Sequence, residues 1–443
     1  MAVGQPVVRK QAAPSAYLVS EDWWAVYLGL IFVVAVYLFH RFGTPLDILK
    51  SATPVMWPKA SLGIHFAQSW SSYVWMYVAI LVPTAIAVRV MGLRLGDYLL
   101  GFTGLFILGL IVLTLGSQQQ LKYYGLEYPF WALIIGLILG NAFPRFPAWF
   151  QAAAGRTEFF IKMGIVLLGA TLPFTTVIKG GGWGFVEAVT IVAIGFAVAF
   201  VVSKRLGYDN RFASVLGAGG SVCGVSAAIA VGSSVKADRK DVGYIVSLVV
   251  IYALVLIFLM PALARLMHLD VRVAGAWIGG SELADAAGLA AAQQLGDKAT
   301  EAFTLVKLNR DVMIAALAFI LAILAVTRWD VGKGEARPGA GVIWERFPKF
   351  VLAFLVASFL GTRWAVGDAA GMSAHVSPVL TTLRTWLFVL AFICIGCGTR
   401  FRDIQKMGAK PILAFTIVVL VNLVTGFIMA HLLFGGIIAR PLQ

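Results

Sequence analysis

Charge is scarce in this chain. Asp, Glu, Lys and Arg make up 13% of its 443 residues, about half the share usual for a soluble domain. Strict apolar–polar alternation is also missing, which argues against a membrane β-barrel. Cysteine occurs three times, at Cys223, Cys394 and Cys397, each in apolar surroundings, so no disulfide framework is implied. Cys394 and Cys397 have redox spacing, but inside an apolar run they read as helix packing. The five histidines, at 40, 65, 268, 375 and 431, are scattered and form no metal pattern. There is no H-E-x-x-H, and the one Gly-Lys pair, Gly332-Lys333, is followed by Gly. Neither a zinc peptidase nor a phosphate loop is therefore encoded. No cofactor is expected, and no nucleophile–base pair stands out, so an enzyme is set aside.

What is present is hydrophobic residue, 60% of the chain, with a mean hydropathy of +0.89. The apolar runs are each about 20 residues long, the length that crosses a bilayer as helix. The reading is an all-α integral membrane protein with about eleven spans. They lie near 23–40, 72–92, 97–115, 128–142, 157–178, 182–203, 241–264, 301–326, 348–364, 378–398 and 412–434. Residues 1–22 form an N-terminal tail, 23–127 a first group of helices, 128–434 a core, and 435–443 a C-terminal tail. The first run, from Trp23, has no small-residue cleavage site after it and reads as a span rather than a signal peptide.

The net charge of +14 is not a nucleic-acid signature. Lys and Arg lie in the short connections, as the positive-inside rule requires. Two segments, 210–234 and 273–295, are rich in small residues. If both are re-entrant and the N-terminus is cytoplasmic, one face collects Arg145, Arg156, Lys204, Arg205, Arg211, Lys236, Arg239, Lys240, Arg328, Lys333, Arg337, Arg400, Arg402, Lys406 and Lys410. The other face keeps Lys122, Lys179, Arg265 and Arg272. Two full crossings would invert only the loop between them, so charge alone leaves that alternative open. The location expected is a bacterial inner (plasma) membrane.

The chain also echoes itself. LGATLPFTTVIKGG from Leu168 aligns with IGCGTRFRDIQKMG from Ile395, matching Gly169 to Gly396, Phe174 to Phe401, Lys179 to Lys406 and Gly181 to Gly408. GGSVCGVSAAIA from Gly219 aligns with GGSELADAAGLAAA from Gly279. In the topology above both pairs run in opposite directions. Inverted repeats with Gly-interrupted segments point to a secondary transporter with its site at the membrane midplane.

The stretch Gly217–Gly232, GAGGSVCGVSAAIAVG, contains no Leu, Phe or Trp. Small residues let backbones approach closely and permit a helix to break where protein or a wetted cavity satisfies the backbone. A half-helix N-terminus favours an anion. Ser221, Ser226 and Ser281 add hydroxyl donors. The bland alternative is close packing of an ordinary span. In the helix from Glu301, Lys307 and Arg310 are three apart and share a face, and an Arg fork suits a sulfonate, sulfate or carboxylate. The alternative is that they snorkel at the boundary. Glu282 and Asp285 are read as a coupling site or, with Asp311, as ion-pair partners of Arg310.

These blocks, with Gly140-Asn141, TLVKLNRDVM and the closing GTRFRDIQKMGAKPIL, resemble the YeiH-type sulfate exporter family over roughly residues 130–434. The resemblance implies a multi-spanning exporter of sulfate or related sulfur oxyanions. By position the Ser221–Ser226 segment, Lys307 and Arg310 match family motifs, and the substrate site is expected at Gly220, Ser221, Cys223, Gly224, Ser226, Ser281, Lys307 and Arg310, with Gly140 and Asn141 structural. The His-Glu pair of many members is absent here; Glu282 and Asp285 lie nearby. The expectation is alternating access by a small anion, such as sulfate or an organosulfonate, with proton or sodium coupling. An anion channel is the alternative. A homodimer is left open.

Overall fold

The computed structural model describes residues 20–436 apart from 59, 124–125, 127, 144, 330–343, 345–346 and 400–407. The charges at Lys333, Arg337, Arg400, Arg402 and Lys406, the partner Phe401 and almost all of both tails lie outside the described residues. Among the described residues there is helix and no named strand. The helices are α1 (Glu21–Arg41), α2 (Leu62–Val90), α3 (Leu95–Gly116), α4 (Tyr128–Ala142), the short α5 (Ala148–Ala154), α6 (Thr157–Thr171) and α7 (Phe174–Arg205). There follow α8 (Asn210–Ser221), α9 (Val225–Ser234), α10 (Arg239–Leu266), α11 (Val271–Ser281), α12 (Asp285–Gln293) and α13 (Asp297–Leu324). The last three are α14 (Lys349–Gly367), α15 (Ser377–Gly398) and α16 (Ala409–Phe434).

Nine described helices are long and apolar enough to cross a membrane. Two expected spans are shorter. Helices α4 and α6 have 15 residues each, about 22 Å of rise against a hydrocarbon core of about 30 Å. The span expected over 157–178 ends at Thr171. Leu172 is extended (ψ 130) because Pro173 disfavours helix at the residue before it, and α7 then starts at Phe174 and runs to Arg205.

Both small-residue segments are re-entrant hairpins. In the first, Arg211 Nη1 donates to Lys236 O at 3.0 Å, so the two ends meet at one face. A Cβ on Gly232 would contact Val215, and one on Gly219 would contact Ala228, which is the pairing of two antiparallel arms. In the second, Arg265 Nη2 donates to Gln294 O at 2.5 Å, closing the base in the same way. Helix α11 then runs parallel to α13, with Gly275 against Ala299 and Gly279 against Phe303. Between the hairpins lies α10, 28 residues long, about 42 Å. The hairpins therefore enter from opposite faces. Arg156 pairs with Glu21 at 2.7 Å and Lys162 with Asp22 at 2.5 Å, so the first hairpin opens on the N-terminal face.

The sequence echoes are also echoes of geometry. Leu172 N donates to Gly169 O and Thr399 N to Gly396 O, both at 3.1 Å, closing α6 and α15 at matched positions. Likewise Val222 N donates to Ala218 O and Glu282 N to Ile278 O, closing α8 and α11. Each pair runs in opposite directions. Gly140 lies against the backbone of Gly396 and Cys397, and Asn141 Nδ2 donates to Thr399 O at 3.0 Å, fixing α4 to the end of α15. Cys394 and Cys397 are buried packing residues.

In a cysteine-free background, maleimide should label Asn210→Cys and Ser233→Cys from one side of sealed vesicles, and Asp270→Cys and Lys298→Cys from the other. Two ends of one segment labelled from opposite sides would show a full crossing. On the face opposite the N-terminus, His40 pairs with Asp368 at 2.7 Å and His375 with Asp47 at 2.6 Å, the two rings stacked. The His40 hydrogen bond holds the Asp368 carboxyl below its ordinary value. At Asp47 burial pushes upward, but hydrogen bonds from Lys50 and His375 together outweigh it and leave the carboxyl lowered. A carboxyl lowered by folding stabilises above its ordinary range, and that contribution is lost as pH falls through the lowered value. Thermal melts should lose stability on the acid side of pH about 4, and Asp368→Asn should make that limb shallower.

Candidate functional site

The two hairpin tips meet inside the protein. The first is Val222-Cys223-Gly224, the second Glu282-Leu283-Ala284. Gly224 has φ +59, and a Cβ there would strike Leu283 O of the other tip and Val249 of α10. Glycine is required at that position for both conformation and space. Each first arm ends in the membrane with carbonyls that have no helical partner and with the negative end of its dipole.

Helix α13 answers both ends. Arg310 Nη1 donates to Gly279 O and Glu282 O at 2.8 Å, and Nη2 to Ser221 O at 2.9 Å. Lys307 Nζ donates to Val222 O and Glu282 O at 3.3 Å and to Leu283 O at 3.4 Å. The same Nζ lies 3.3 Å from Asp285 Oδ1. Arg310 is wholly buried and Lys307 2% exposed. Neither snorkels, and the Arg310 fork grips backbone rather than facing open space.

A cavity of about 330 Å³ runs from the N-terminal face to these tips. Its outer wall includes Asp22, Lys162 and Lys349; its inner end is Cys223, Ser226, Asp285 and Asp311. Ser226 is exposed to it, in the first turn of α9. Asp311 is 1% exposed, and neither of its carboxylate oxygens has a hydrogen-bond partner. Donor atoms of Cys223, Asp285 and Asp311 come within 4.8 Å of one another.

The expected site residues thus divide. Cys223, Ser226, Asp285 and Asp311 line the cavity, and Lys307 reaches its edge through Asp285. Ser221, Ser281, Gly220 and Arg310 face elsewhere. Ser221 Oγ donates to Gly217 O at 2.6 Å, Ser281 Oγ donates to Asn422 O at 3.1 Å, and Gly220 O accepts from Asn422 Nδ2 at 2.6 Å. Glu282 and Asp285 do not share a helix face, because the break falls between them. Glu282 Oε1 accepts from Leu283 N at 2.9 Å, away from the cavity. The pairing of Arg310 with Glu282 runs through the backbone carbonyl.

Three groups were not anticipated. Lys162 and Asp22 are an ion pair at the cavity mouth. Glu187, fully buried in α7, has no hydrogen-bond partner on either oxygen and lies where a side chain on Gly280 would be. Its signal was available: it is the one acid in the apolar run 182–203.

Arg310→Ala should lower the melting temperature sharply, since each charge-assisted bond contributes about 1.5–3 kcal/mol and three carbonyls would be left without it. Arg310→Lys should recover part of the loss. A melting temperature equal to wild type in Arg310→Ala would remove the tip-clamping role.

The sequence model of the family described as "Conserved hypothetical protein 698" matches residues 100–415. The chain is 33% identical over 413 residues to a UPF0324 membrane protein of Rhodopirellula baltica, covering 90% of this chain and 74% of the relative. It is 31% identical over 369 residues to one of Nitratidesulfovibrio vulgaris, covering 81% of this chain and 63% of that longer protein. The UPF0324 inner membrane protein YeiH of Escherichia coli is 28% identical over 289 residues, 64% of this chain and 79% of that relative. The first alignment leaves about 44 residues of this chain uncovered, a tenth of 443, so it takes in part of the first helix group, which lies outside the resemblance over 130–434. No solved structure matches. This multi-pass membrane protein belongs to the UPF0324 family, the family of YeiH.

Proposed function

We propose that the protein is a secondary transporter of a small anion, sulfate or an organosulfonate, working by alternating access in a bacterial inner membrane. The observation that carries this reading is the meeting of two oppositely inserted hairpins at the closed end of a cavity open to one face only. The matched, oppositely directed pairs form an inverted repeat, so the same parts can close one face while opening the other. The anion lies at the N-terminus of α9, where Val225, Ser226 and Ala227 carry the first N–H groups of a helix. The Ser226 hydroxyl and Cys223 thiol stand beside it. Arg310 and Lys307 hold the tips rather than the anion. A channel would need a continuous wetted path, and the packing of Gly224 against Leu283 at the tips speaks for a transporter over a channel. The N-terminal face is the cytoplasmic one in this reading, from its excess of Lys and Arg.

The test is uptake into proteoliposomes with labelled sulfate, taurine, sulfoacetate and simple carboxylates. Saturable exchange of at least one sulfur oxyanion is expected, with no single-channel conductance. Ser226→Ala should weaken its binding by about tenfold or less, as loss of one neutral hydrogen bond does. A small thiol reagent should block flux through Cys223, and the transported anion should slow that reaction. No saturable flux of any panel member, or ion conduction at channel rates, would overturn the reading.

A further inference from the structure

The inner end of the cavity holds an electrostatic contradiction for an anion site. Two carboxylates, Asp285 and Asp311, lie there. Of the nearby cations, Arg310 is turned to backbone carbonyls and Lys307 is shared between Asp285 and three carbonyls. Asp311 has neither a hydrogen bond nor an ion pair to account for its burial. A buried ionised carboxylate without a partner is costly, and an anion beside it would raise that cost.

Charged and titratable groups surround Asp311 from every side. On its own helix are Lys307 and Arg310; the second hairpin brings Asp285 and Glu282; the first brings Cys223. Helix α6 brings Glu158 and Lys162, α1 brings Asp22, and α14 brings Lys349 at the outer wall. The cations at the mouth are already engaged: Lys162 with Asp22 and Glu158, and Lys349 with Phe347 O. Apart from a side chain swinging round, the missing positive charge has to come from solution.

We propose that Asp311, beside the Lys307-paired Asp285, takes up one proton as the anion binds, making the protein a proton–anion symporter. The inference rests on the transporter reading above. The proton comes from cavity water, hydronium plus carboxylate giving water plus a carboxylic acid on Asp311, within 4.8 Å of Asp285. The new O–H can donate to an anion oxygen, so a repelling group becomes a binding one. Linkage fixes the sign: an anion that raises the affinity of Asp311 for a proton has its own affinity raised equally by that proton. Competition between the two, as in antiport, has the opposite sign. Co-bound ions cross together, so a gradient acid outside drives the anion inward. Export, the direction expected from family resemblance, would run against that proton gradient, down the anion's own concentration gradient or, for sulfate, whose complex with one proton carries one negative charge, with a membrane potential negative inside.

The test uses the full-length purified protein and sulfate, with taurine and sulfoacetate as further probes. Calorimetry in buffers of different ionisation enthalpy counts the protons taken up per anion bound. One is expected, and the sulfate Kd should fall about tenfold per pH unit lowered across the titrating range. Asp311→Asn should bind sulfate with no proton uptake and no pH dependence; Asp311→Glu should restore both. The wild-type proton count stands even if the Asn variant fails to fold. In vesicles, an acid-outside gradient should accumulate the anion above equilibrium. Anion binding with no proton uptake, or binding that follows sodium when choline replaces it, overturns symport through Asp311 and leaves the transporter standing. Absence of binding by every probe between pH 5 and 8 removes the transporter reading and this inference with it.

Discussion

Two helix C-termini end inside the membrane at nearly the same point, and one helix supplies the positive charge that both require. Everything else in the core is arranged around that constraint. Hydrocarbon offers no water to free carbonyls, and two dipoles bring their negative ends together at the tips. Arg310 reaches Ser221 O on one hairpin and Gly279 O on the other. A single planar guanidinium can hold two backbones at a fixed spacing in a way that an ammonium cannot. The clamp spans the contact between two hairpins inserted from opposite faces, so any motion that separates the tips must break or exchange these bonds.

The small-residue composition follows from the same geometry. Hairpin residues pack on α13 and on the opposite tip at distances where a side chain would collide with backbone. Gly275 meets Ala299, Gly279 meets Phe303, and Gly224 meets Leu283. Larger residues would push the arms apart and carry the tip carbonyls out of reach of Arg310 and Lys307. The missing Leu, Phe and Trp of Gly217–Gly232 are therefore a condition for the clamp.

Much of this was legible in the sequence because it is written in hydrophobicity and residue size. The spans, both interruptions, and the matched turns at Gly169 and Gly396 all leave such marks. The re-entrant choice was reachable from charge placement but not forced by it. Hydrogen-bond partners of Arg310 and Lys307 were not legible, since every residue carries the same carbonyl and no side-chain type announces it. The separation of Glu282 from Asp285 was hidden for a related reason. Three apart means one face only within a helix, and here residue 282 is the extended cap of one helix while residue 285 begins the next. Likewise α6 stopped early because Pro173 acts on the residue before it, a local rule that a hydropathy window averages away.

The division of labour among the charges has a physical logic. Cations that satisfy backbone at the tips are held there, because removing them would leave carbonyls unpaired in hydrocarbon. A site that must alternate between occupied and empty is better built from groups whose charge can change than from groups whose charge is fixed. Arg310 is always protonated in practice, and an anion bound to it would need another counter-charge to leave. Asp311, buried and unpartnered at the cavity's end, is such a group in the symport proposed above. The fixed charge of Arg310 thus belongs to the scaffold, and the break between α11 and α12 leaves Glu282 beside the clamp while Asp285 lines the cavity.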